Sequence, residues 1–302
     1  MKKLISILRL ILMLLFLIVG IGILLYPDYM DWLESNRHAG FIQHYNADVA
    51  LMAEAEIEYE LERARMFNEG ITDISINDPW GEGANDAIGT DEYYTLLRFG
   101  DSEIMGRIEI PRIRVDLPIF HGSTSRVLDR GVGHMPHTSL PIGGYGNHSI
   151  LTAHTGMVSA RLFTDLIELG LGDNFVVTIG NQRLLYEVDQ IDIVYPHQID
   201  ILQTVVDRDL ITLVTCTPYG VNSHRLLVRG MRIPYYEDIL EEIEPIATEL
   251  NMRHLAVIGI LTFIISGTLY KWIVAKKRKN ANVLLDLKHE KEYEELFGDK
   301  NG

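Results

Sequence analysis

The chain has 302 residues, of which 47% are hydrophobic, and its formal net charge is −15 at pH 7. So acidic a chain is unsuited to nucleic acid, which proteins bind through clusters of basic side chains. The single cysteine, Cys216, excludes an internal disulfide, so its thiol is buried packing, an intermolecular link or a reactive group.

Two stretches are apolar enough to span a membrane, residues 10–26 and residues 255–270. The basic residues that flank them are Lys2, Lys3, Arg9 and the run at 276–279. The positive-inside rule therefore predicts cytoplasmic termini and an extracytoplasmic region between the two spans. Because no A-x-A-like cleavage site follows the first stretch, we expect an uncleaved anchor rather than a signal peptide.

Helical periodicity follows the first apolar stretch. From Asp28 to Asn68, apolar side chains recur at helical spacing with Glu and Arg between them, which predicts one or two helices. Asp48 is suited to N-cap the second helix, and Asn68 with Gly70 is suited to end it. We interpret the aromatic and methionine side chains here as packing rather than a binding surface.

A long loop is predicted from Ile71 to Thr90, where the sequence has no sustained period and is rich in Gly, Asn and Asp. Long loops in compact domains are often functional. Within it, Asp78, Pro79 and Trp80 allow a second interpretation, because Asp followed by Pro is also a common start of a helix.

Short β-prone runs separated by turn signals begin after Met105 and predict a closed antiparallel barrel or a sandwich. The predicted strands are Arg107–Ile113, Arg114–Phe120, Ser149–Ala153, Phe175–Ile179, Leu184–Val194, Ile211–Cys216 and His224–Ile233. A short helix is predicted around Ala160–Leu169. A charged linker and a charged tail surround the second apolar stretch, and neither contains a pattern of catalytic residues.

Cys216 ends one of these strands, and Thr217 to Gly220 turn the chain into the next strand, which returns Arg225 to the neighbourhood of Cys216. His154 also follows a strand end. His224 competes with it as a candidate base, but strand alternation points His224 away from the face of Arg225.

Three other histidines, His121, His134 and His137, cluster in the sequence and suggest a metal site. Their spacing is irregular, and no second cysteine is available to complete a structural zinc set. We therefore expect neither a metal site nor a cofactor.

The motifs TLVTC, TCTPYG and HRLLVRG, with the arginine nine residues after the cysteine, resemble the signature of class C (pilin-polymerising) sortases. LTAHTG around His154 resembles the histidine motif of that family, and Asp78, Pro79 and Trp80 resemble its lid motif. The resemblance implies an eight-stranded sortase-type β-barrel with N-terminal helices and short connecting helices, flanked by two transmembrane helices. Ser223 and Thr155 depart from the residues common in the family.

The resemblance also implies a mechanism. Cys216 attacks an LPXTG-like sorting signal to form a thioacyl enzyme, His154 donates a proton to the leaving amine, and Arg225 polarises the scissile carbonyl. The lid aspartate pairs with the arginine, and the lid aromatic covers the cysteine. The implied partners are pilin or surface-protein substrates, a lysine-bearing acceptor pilin and the plasma membrane of a Gram-positive bacterium.

The predicted divisions are a cytoplasmic N-terminus and transmembrane helix at 1–26, extracytoplasmic helices at 27–69, a lid loop at 70–92, the catalytic barrel at 93–236, a linker at 237–253, a transmembrane helix at 254–275 and a cytoplasmic tail at 276–302. All nine lysines lie in the termini or beside the membrane segments, so the predicted outer region contains none. An enzyme that delivers acyl groups to lysine amines would thereby avoid acylating itself.

Three alternatives remain open. The chain could anchor single proteins to cell-wall peptide, in which case the acceptor is a peptidoglycan amine. It could be a catalytically silent scaffold that binds pilin subunits, although the intact set of Cys216, His154 and Arg225 argues against this. A papain-like protease is disfavoured because its cysteine begins a helix, whereas Cys216 is predicted to end a strand.

Overall fold

The structure, a computed structural model, describes residues 2–71, 78, 80, 89–157, 159–202, 205–235, 258–264, 266–268, 270–271, 273–274 and 276–278. By contacts between Cα atoms, the chain forms two compact units. One comprises Met1–Tyr26 and Thr248–Gly302, and the other comprises Pro27–Ala247. The second unit contains every strand of the described chain.

The N-terminal region is helical. Helix α1 spans Lys2–Leu51 and helix α2 spans Glu54–Glu69, with Ala53 as N-cap and Gly70 as C-cap. The prediction that Asp48 caps the second helix is wrong, because Asp48 lies inside α1 and the helical path breaks after Leu51. The predicted end of the second helix near Asn68 and Gly70 is confirmed.

Eight strands form the body of the second unit. They are β1 (Gly106–Ile110), β2 (Val115–His121), β3 (Val132–His134), β4 (His148–Thr152), β5 (Asn174–Ile179), β6 (Gln182–Val194), β7 (Leu210–Thr217) and β8 (His224–Ile233). A four-residue helix, α3 (Ser125–Leu128), lies between β2 and β3. Four 3₁₀ turns connect other elements, at Tyr93–Thr95, Pro111–Ile113, Thr164–Glu168 and Pro196–Ile201. The helix predicted at 160–169 is only the 3₁₀ turn Thr164–Glu168.

The strands close into a barrel in the order β1-β2-β3-β4-β7-β8-β6-β5, with β5 pairing back to β1. Closure confirms the predicted barrel and excludes the sandwich. The barrel is not wholly antiparallel, however, because β2–β3 and β4–β7 are parallel pairs. Parallel neighbours require a crossover connection, and β5 and β6 lie within the long connection from β4 to β7.

Two hydrophobic clusters lie on opposite faces of the strands around β7. The larger one includes Ile211 and Leu213 of β7 and also Tyr45, Ile57 and Leu61 of the two N-terminal helices. The smaller one consists of Met135, Ile150, Leu202, Val214 and Leu227, with Trp80 and Val194 packed against it. Because both faces of β7 are covered, all eight of its residues are buried.

Helix α1 is joined to the barrel by one buried tyrosine as well as by apolar contacts. Tyr45 is 0% exposed, and its hydroxyl donates to the Met105 carbonyl at 3.3 Å while accepting from the Gly180 N–H at 2.5 Å. Burial raises the pKa of Tyr45 above its usual range, so the hydroxyl keeps its proton and can donate.

Candidate active site

The register of three neighbouring strands brings the three predicted catalytic residues together. β4 and β7 run parallel with Thr152 opposite Val214, and two residues further along lie His154 and Cys216 respectively. Across the antiparallel pair β7–β8, Cys216 lies opposite Arg225. Adjacent strands are about 5 Å apart. The three residues therefore form a row across one end of the barrel.

The alternation of side chains along β7 and β8 shows on which face of these strands Cys216 and Arg225 lie. Residues two apart on a strand share a face, so Cys216 lies on the side of Val214 and Arg225 on the side of Leu227. Val214 and Leu227 both belong to the smaller hydrophobic cluster, against which Trp80 packs. The candidate site is thus an extension of that cluster, on the face of β7 opposite the main core.

Arg225 forms a buried ion pair with Asp78. Its Nε and Nη2 donate to the two Asp78 carboxylate oxygens at 2.7 Å and 2.6 Å, and Nη1 donates to the carbonyls of Asn222 and His224 at 3.0 Å each. The Arg225 side chain is 5% exposed and that of Asp78 is 10% exposed. Bidentate pairs of this kind are strong and directional, so the guanidinium is fully engaged while Asp78 is in place.

Trp80 contacts both His154 and Arg225. Its indole Nε1–H donates to His154 Nδ1 at 3.1 Å, and the Arg225 guanidinium lies over its ring at 5.0 Å from the centroid. The predicted lid thus reaches two of the three candidate catalytic side chains through its two described residues. Pro79 lies outside the described residues. The Asp78 carboxylate pairs with Arg225, which is the contact that the resemblance to the lid motif implies.

The electrostatic environment of Cys216 opposes its ionisation. Burial raises the pKa of the Cys216 thiol to about 11, Arg225 lowers it, and Asp78 raises it further. The residue Cys216 is 6% exposed. Because Asp78 neutralises the charge of Arg225 that would otherwise favour the thiolate, the described arrangement holds Cys216 as a neutral thiol.

His154 is subject to two opposing influences. Burial lowers its pKa, and the carboxylate of Asp129 raises it. Asp129 Oδ1 lies 3.6 Å from His154 Nε2, which is an ion-pair distance. Asp129 was not predicted from the sequence, because the only signal is an aspartate at the end of a four-residue helix, 25 positions before His154.

The remaining candidate histidines have other surroundings. His224 bonds to the Ser223 hydroxyl at 2.8 Å and packs on Tyr195, away from the face of Arg225, as alternation predicts. His121 and His134 are buried, and each Nε2 donates to a backbone carbonyl. Burial lowers the pKa of His121 to about 4 and that of His134 to about 3. Among the described residues, no group of three or more His, Cys, Asp or Glu could hold a metal ion.

Comparison with known proteins identifies the family. Residues 108–233 match the sortase domain. The crystal structure of sortase C-1 from Streptococcus pneumoniae is 42% identical, with a TM-score of 0.61, over 65% of this chain and 98% of that one. The chain belongs to the sortase family. Sortases are cysteine transpeptidases, and the predicted sortase barrel is confirmed by this match.

Two further relatives refine the comparison. A pilus-related sortase C of group B Streptococcus is 40% identical, with a TM-score of 0.59, over 64% of this chain and 97% of that one. Sortase A of Bacillus anthracis is 29% identical over 128 residues, which cover 42% of this chain and 59% of that protein. Both matched structures are of C-type sortases, and the chain spans 59% of the length of the curated sortase A.

Proposed function

We propose that this sortase is a membrane-anchored transpeptidase that cleaves LPXTG-like sorting signals and transfers the acyl group to a lysine amine of a pilin subunit. The observation that carries the proposal is the row formed by His154, just after the end of β4, Cys216 on β7 and Arg225 on β8, in a barrel similar to that of sortase C-1. A thiol, a proton donor and a fixed positive charge are the three groups that acyl transfer through a thioester requires.

In the proposed reaction, the Cys216 thiolate attacks the threonine carbonyl carbon of the sorting signal, and Arg225 stabilises the charge that develops on the oxygen. The carbon–nitrogen bond to glycine then breaks, and His154 gives its proton to the departing amine. A thioacyl enzyme results. A lysine amine attacks the thioester next, its proton passes to His154, and the sulfur of Cys216 is released.

Asp78 and Trp80 act as a lid in this proposal. While Asp78 accepts hydrogen bonds from Nε and Nη2 of Arg225, the guanidinium is unavailable to a substrate carbonyl. Trp80 occupies Nδ1 of His154 at the same time. Substrate access therefore requires the lid to move away, which loss of the Trp80 contacts favours, and the lid also limits hydrolysis of the thioester by keeping water out.

Two observations support a pilin lysine as the acceptor. One matched structure is that of a pilus-related sortase, and another is described in terms of pilin substrate specificity. In addition, the compact unit Pro27–Ala247 contains no lysine of its own. A transferase for lysine amines gains from this composition, because it has no lysine of its own near the thioester.

Membrane anchoring is proposed from the apolar segments. Among the described residues, one helix, within Ile11–Leu51, is long and apolar enough to cross a membrane, and a shorter apolar helix spans Ile258–Thr268. We propose that both segments span the membrane, with the termini cytoplasmic and the barrel at 93–236 outside, as the flanking basic residues predict. The lid at 70–92, the linker at 237–253 and the tail at 276–302 complete this proposed arrangement.

An acceptor competition tests the proposal. The full chain in detergent, with Trp80→Ala to open the lid, is given an LPXTG-type donor peptide together with equal amounts of a lysine-bearing pilin peptide and a peptidoglycan stem peptide. Mass spectrometry of the products is expected to find the donor joined to the pilin lysine. Transfer to the stem peptide alone would favour cell-wall anchoring, and binding of the donor without any transfer would favour the scaffold.

A further inference from the structure

The tautomer of His154 follows from its contact with the lid. An indole N–H can only donate a hydrogen bond, so Nδ1 of His154, at 3.1 Å from Trp80 Nε1, must be the acceptor. The neutral ring therefore carries its proton on Nε2. Nε2 is the nitrogen that faces Asp129 Oδ1, 3.6 Å away.

The two ring nitrogens consequently face different surroundings. Nδ1 points to the side occupied by the lid tryptophan, which also lies against Arg225, and this is the side that a substrate would enter. Nε2 points to a carboxylate on the opposite side of the ring. A histidine held at one nitrogen by a carboxylate and free to exchange protons at the other is suited to acid–base work at that second nitrogen.

The position of Asp129 is fixed by its neighbours in the chain. Asp129 is the C-cap of α3, and its N–H donates to the Ser125 carbonyl at 2.9 Å. The next residue, Arg130, bonds through its carbonyl to His38 of α1 at 2.9 Å, pairs with Glu103, and lies over the ring of Phe41 at 5.0 Å. The backbone that carries the carboxylate is thus anchored on both sides.

While Asp78 pairs with Arg225, Asp129 is the one charged group within the described part of the chain that shifts the pKa of His154. Trp80 is neutral, and the charge of Arg225 is balanced by Asp78 in a buried pair. Asp129 is the charged group that raises the pKa of His154 against the effect of burial. Its side chain is 61% exposed, and its distance of 3.6 Å from His154 Nε2 makes the contact an ion pair and not a hydrogen bond.

We propose that Asp129 is a positioning residue for His154, which holds the Nε2 side of the ring and favours its protonated form, so that Nδ1 is the nitrogen that donates to the leaving amine. This inference rests on the proposed transpeptidase function. Asp129 does not touch the substrate in this account and acts only through His154. Helix α1 contributes indirectly, because His38 and Phe41 anchor Arg130 and hence the segment that carries Asp129.

The expected kinetic signature follows from the protonation states. The reacting form needs a Cys216 thiolate and a protonated His154, and the pKa of His154 lies below that of Cys216. The rate then rises with pH up to the pKa of His154, remains flat, and falls above the pKa of Cys216. Loss of the Asp129 charge lowers the pKa of His154, so the acid-side midpoint moves to lower pH and the plateau rate falls by the same factor.

The experiment compares Asp129→Asn, Asp129→Glu and the control Asp116→Asn in the full chain in detergent, all with Trp80→Ala so that Nδ1 is free. Asp116 is an exposed aspartate on β2 that pairs with Arg107, so its substitution removes the same charge elsewhere. For an exposed ion pair, the plateau rate of thioester formation in Asp129→Asn is expected to fall about two- to fivefold, with the matching shift of the acid-side midpoint. Asp129→Glu should restore both, and Asp116→Asn should change neither.

A second readout does not depend on turnover. The pKa of His154 is measured by NMR of the same proteins labelled with ¹⁵N-histidine, with the His154 signal assigned by its loss in His154→Gln. A lower pKa in Asp129→Asn than in the control supports the inference even if the donor peptide proves to be the wrong substrate. An unchanged pKa and an unchanged pH–rate profile in Asp129→Asn would overturn it, while leaving the proposed transpeptidase activity intact.

Discussion

At the scale of single residues, the described arrangement holds Cys216, the proposed nucleophile, as a neutral thiol. Burial raises the pKa of Cys216 to about 11, and the one nearby cation that lowers it, Arg225, is paired with Asp78. Removing Asp78 should therefore lower the pKa of Cys216 in two ways. It deletes a negative charge near the sulfur, and it leaves the positive charge of Arg225 unbalanced. The proposed lid aspartate thus acts on the thiol electrostatically.

Substitution of Asp78→Asn is accordingly expected to lower the pKa of Cys216 and raise its reactivity. Only the thiolate reacts with iodoacetamide, so each unit by which the pKa falls increases the alkylation rate at pH 8 about tenfold. The rate is measured by intact mass across a range of pH. The midpoint of the pH–rate curve should move to lower pH.

The control for this prediction is Asp189→Asn. Asp189 forms the same kind of bidentate pair with Arg229 on β8, at 2.9 Å and 2.8 Å, but away from the cysteine. Asp189→Asn should leave the pH dependence of the alkylation rate unchanged. Equal acceleration by both substitutions would mean that general loosening of β8, and not the charge of Asp78, controls the thiol.

The sequence indicated part of this site and not the rest. Strand alternation and the tight turn after Cys216 correctly predicted that Arg225 returns to the cysteine, because pairing across a hairpin is a local property. The contact of Trp80 with His154 and that of Asp129 with the same ring join segments 74 and 25 residues apart. Such contacts depend on how the barrel closes, which no local pattern specifies.

At the scale of elements, the main departure from expectation is helix α1. One continuous helix spans Lys2–Leu51, whereas the sequence suggested a new helix starting after Asp48. An aspartate is a good cap only where the chain leaves the helical path, and here it lies within the last turn of the helix. The C-terminal half of α1 instead docks on the barrel through Tyr45, which is completely buried.

Substitution of Tyr45→Phe tests how firmly α1 is attached. It retains the ring but leaves the buried Gly180 N–H and Met105 carbonyl without their partner. Leaving buried polar groups unpaired costs about 1–3 kcal/mol, so the free energy of unfolding should fall by that amount. The measurement is chemical denaturation of the full chain in detergent, followed by near-ultraviolet circular dichroism.

Tyr59→Phe is the matched control, because Tyr59 lies on α2 and is 64% exposed. It should change the free energy of unfolding by less than about 0.5 kcal/mol. If Tyr45→Phe is as mild as this control, the hydroxyl contributes nothing to docking and the attachment of α1 rests on apolar contacts alone.

The strands were predicted more completely than the helices. Seven of the eight were recognised as β-prone runs, and β3 (Val132–His134) was missed. Three residues that include a glycine are too short to display alternation. This segment was considered as part of a metal site, but its His134 is a buried residue bonded to Tyr93 and to the Ser139 carbonyl. The parallel pairs were also missed, because strand direction depends on the path of the connections.

At the scale of the whole molecule, the distribution of lysine is the feature most directly linked to the proposed chemistry. All nine lysines lie at 2–3 or at 271–300, outside the compact unit Pro27–Ala247. The fifteen arginines of that unit provide it with positive charge that cannot be acylated at neutral pH.

A lysine introduced beside the site is therefore expected to be acylated. Tyr219 is 66% exposed, and its ring lies 3.3 Å from the position of a Cβ built on Gly156, two residues after His154. With Trp80→Ala to open the lid and a donor peptide but no acceptor, Tyr219→Lys should accumulate a covalent adduct that survives hydroxylamine. Hydroxylamine cleaves a thioester but leaves an amide intact.

The control is Tyr145→Lys, with the same Trp80→Ala background. Tyr145 is 86% exposed and precedes β4, whereas His154 follows the other end of that strand. It should acquire no stable adduct. Absence of a hydroxylamine-resistant adduct from Tyr219→Lys, when the thioester itself forms, would contradict the explanation of the lysine-free region.

The most direct test of the whole account is the intact mass of the full chain in detergent after incubation with an LPXTG-type peptide, for the wild-type protein and for Cys216→Ala, Trp80→Ala and Trp80→Phe. The account predicts a hydroxylamine-sensitive adduct with the mass of the acyl fragment. It should be scarce in the wild-type protein, abundant in Trp80→Ala and absent from Cys216→Ala. Trp80→Phe keeps an aromatic ring but loses the hydrogen bond to His154. Its amount of adduct should therefore lie between those of the wild-type protein and Trp80→Ala. An adduct that persists in Cys216→Ala, or no adduct in any variant while the peptide still binds, would contradict the account.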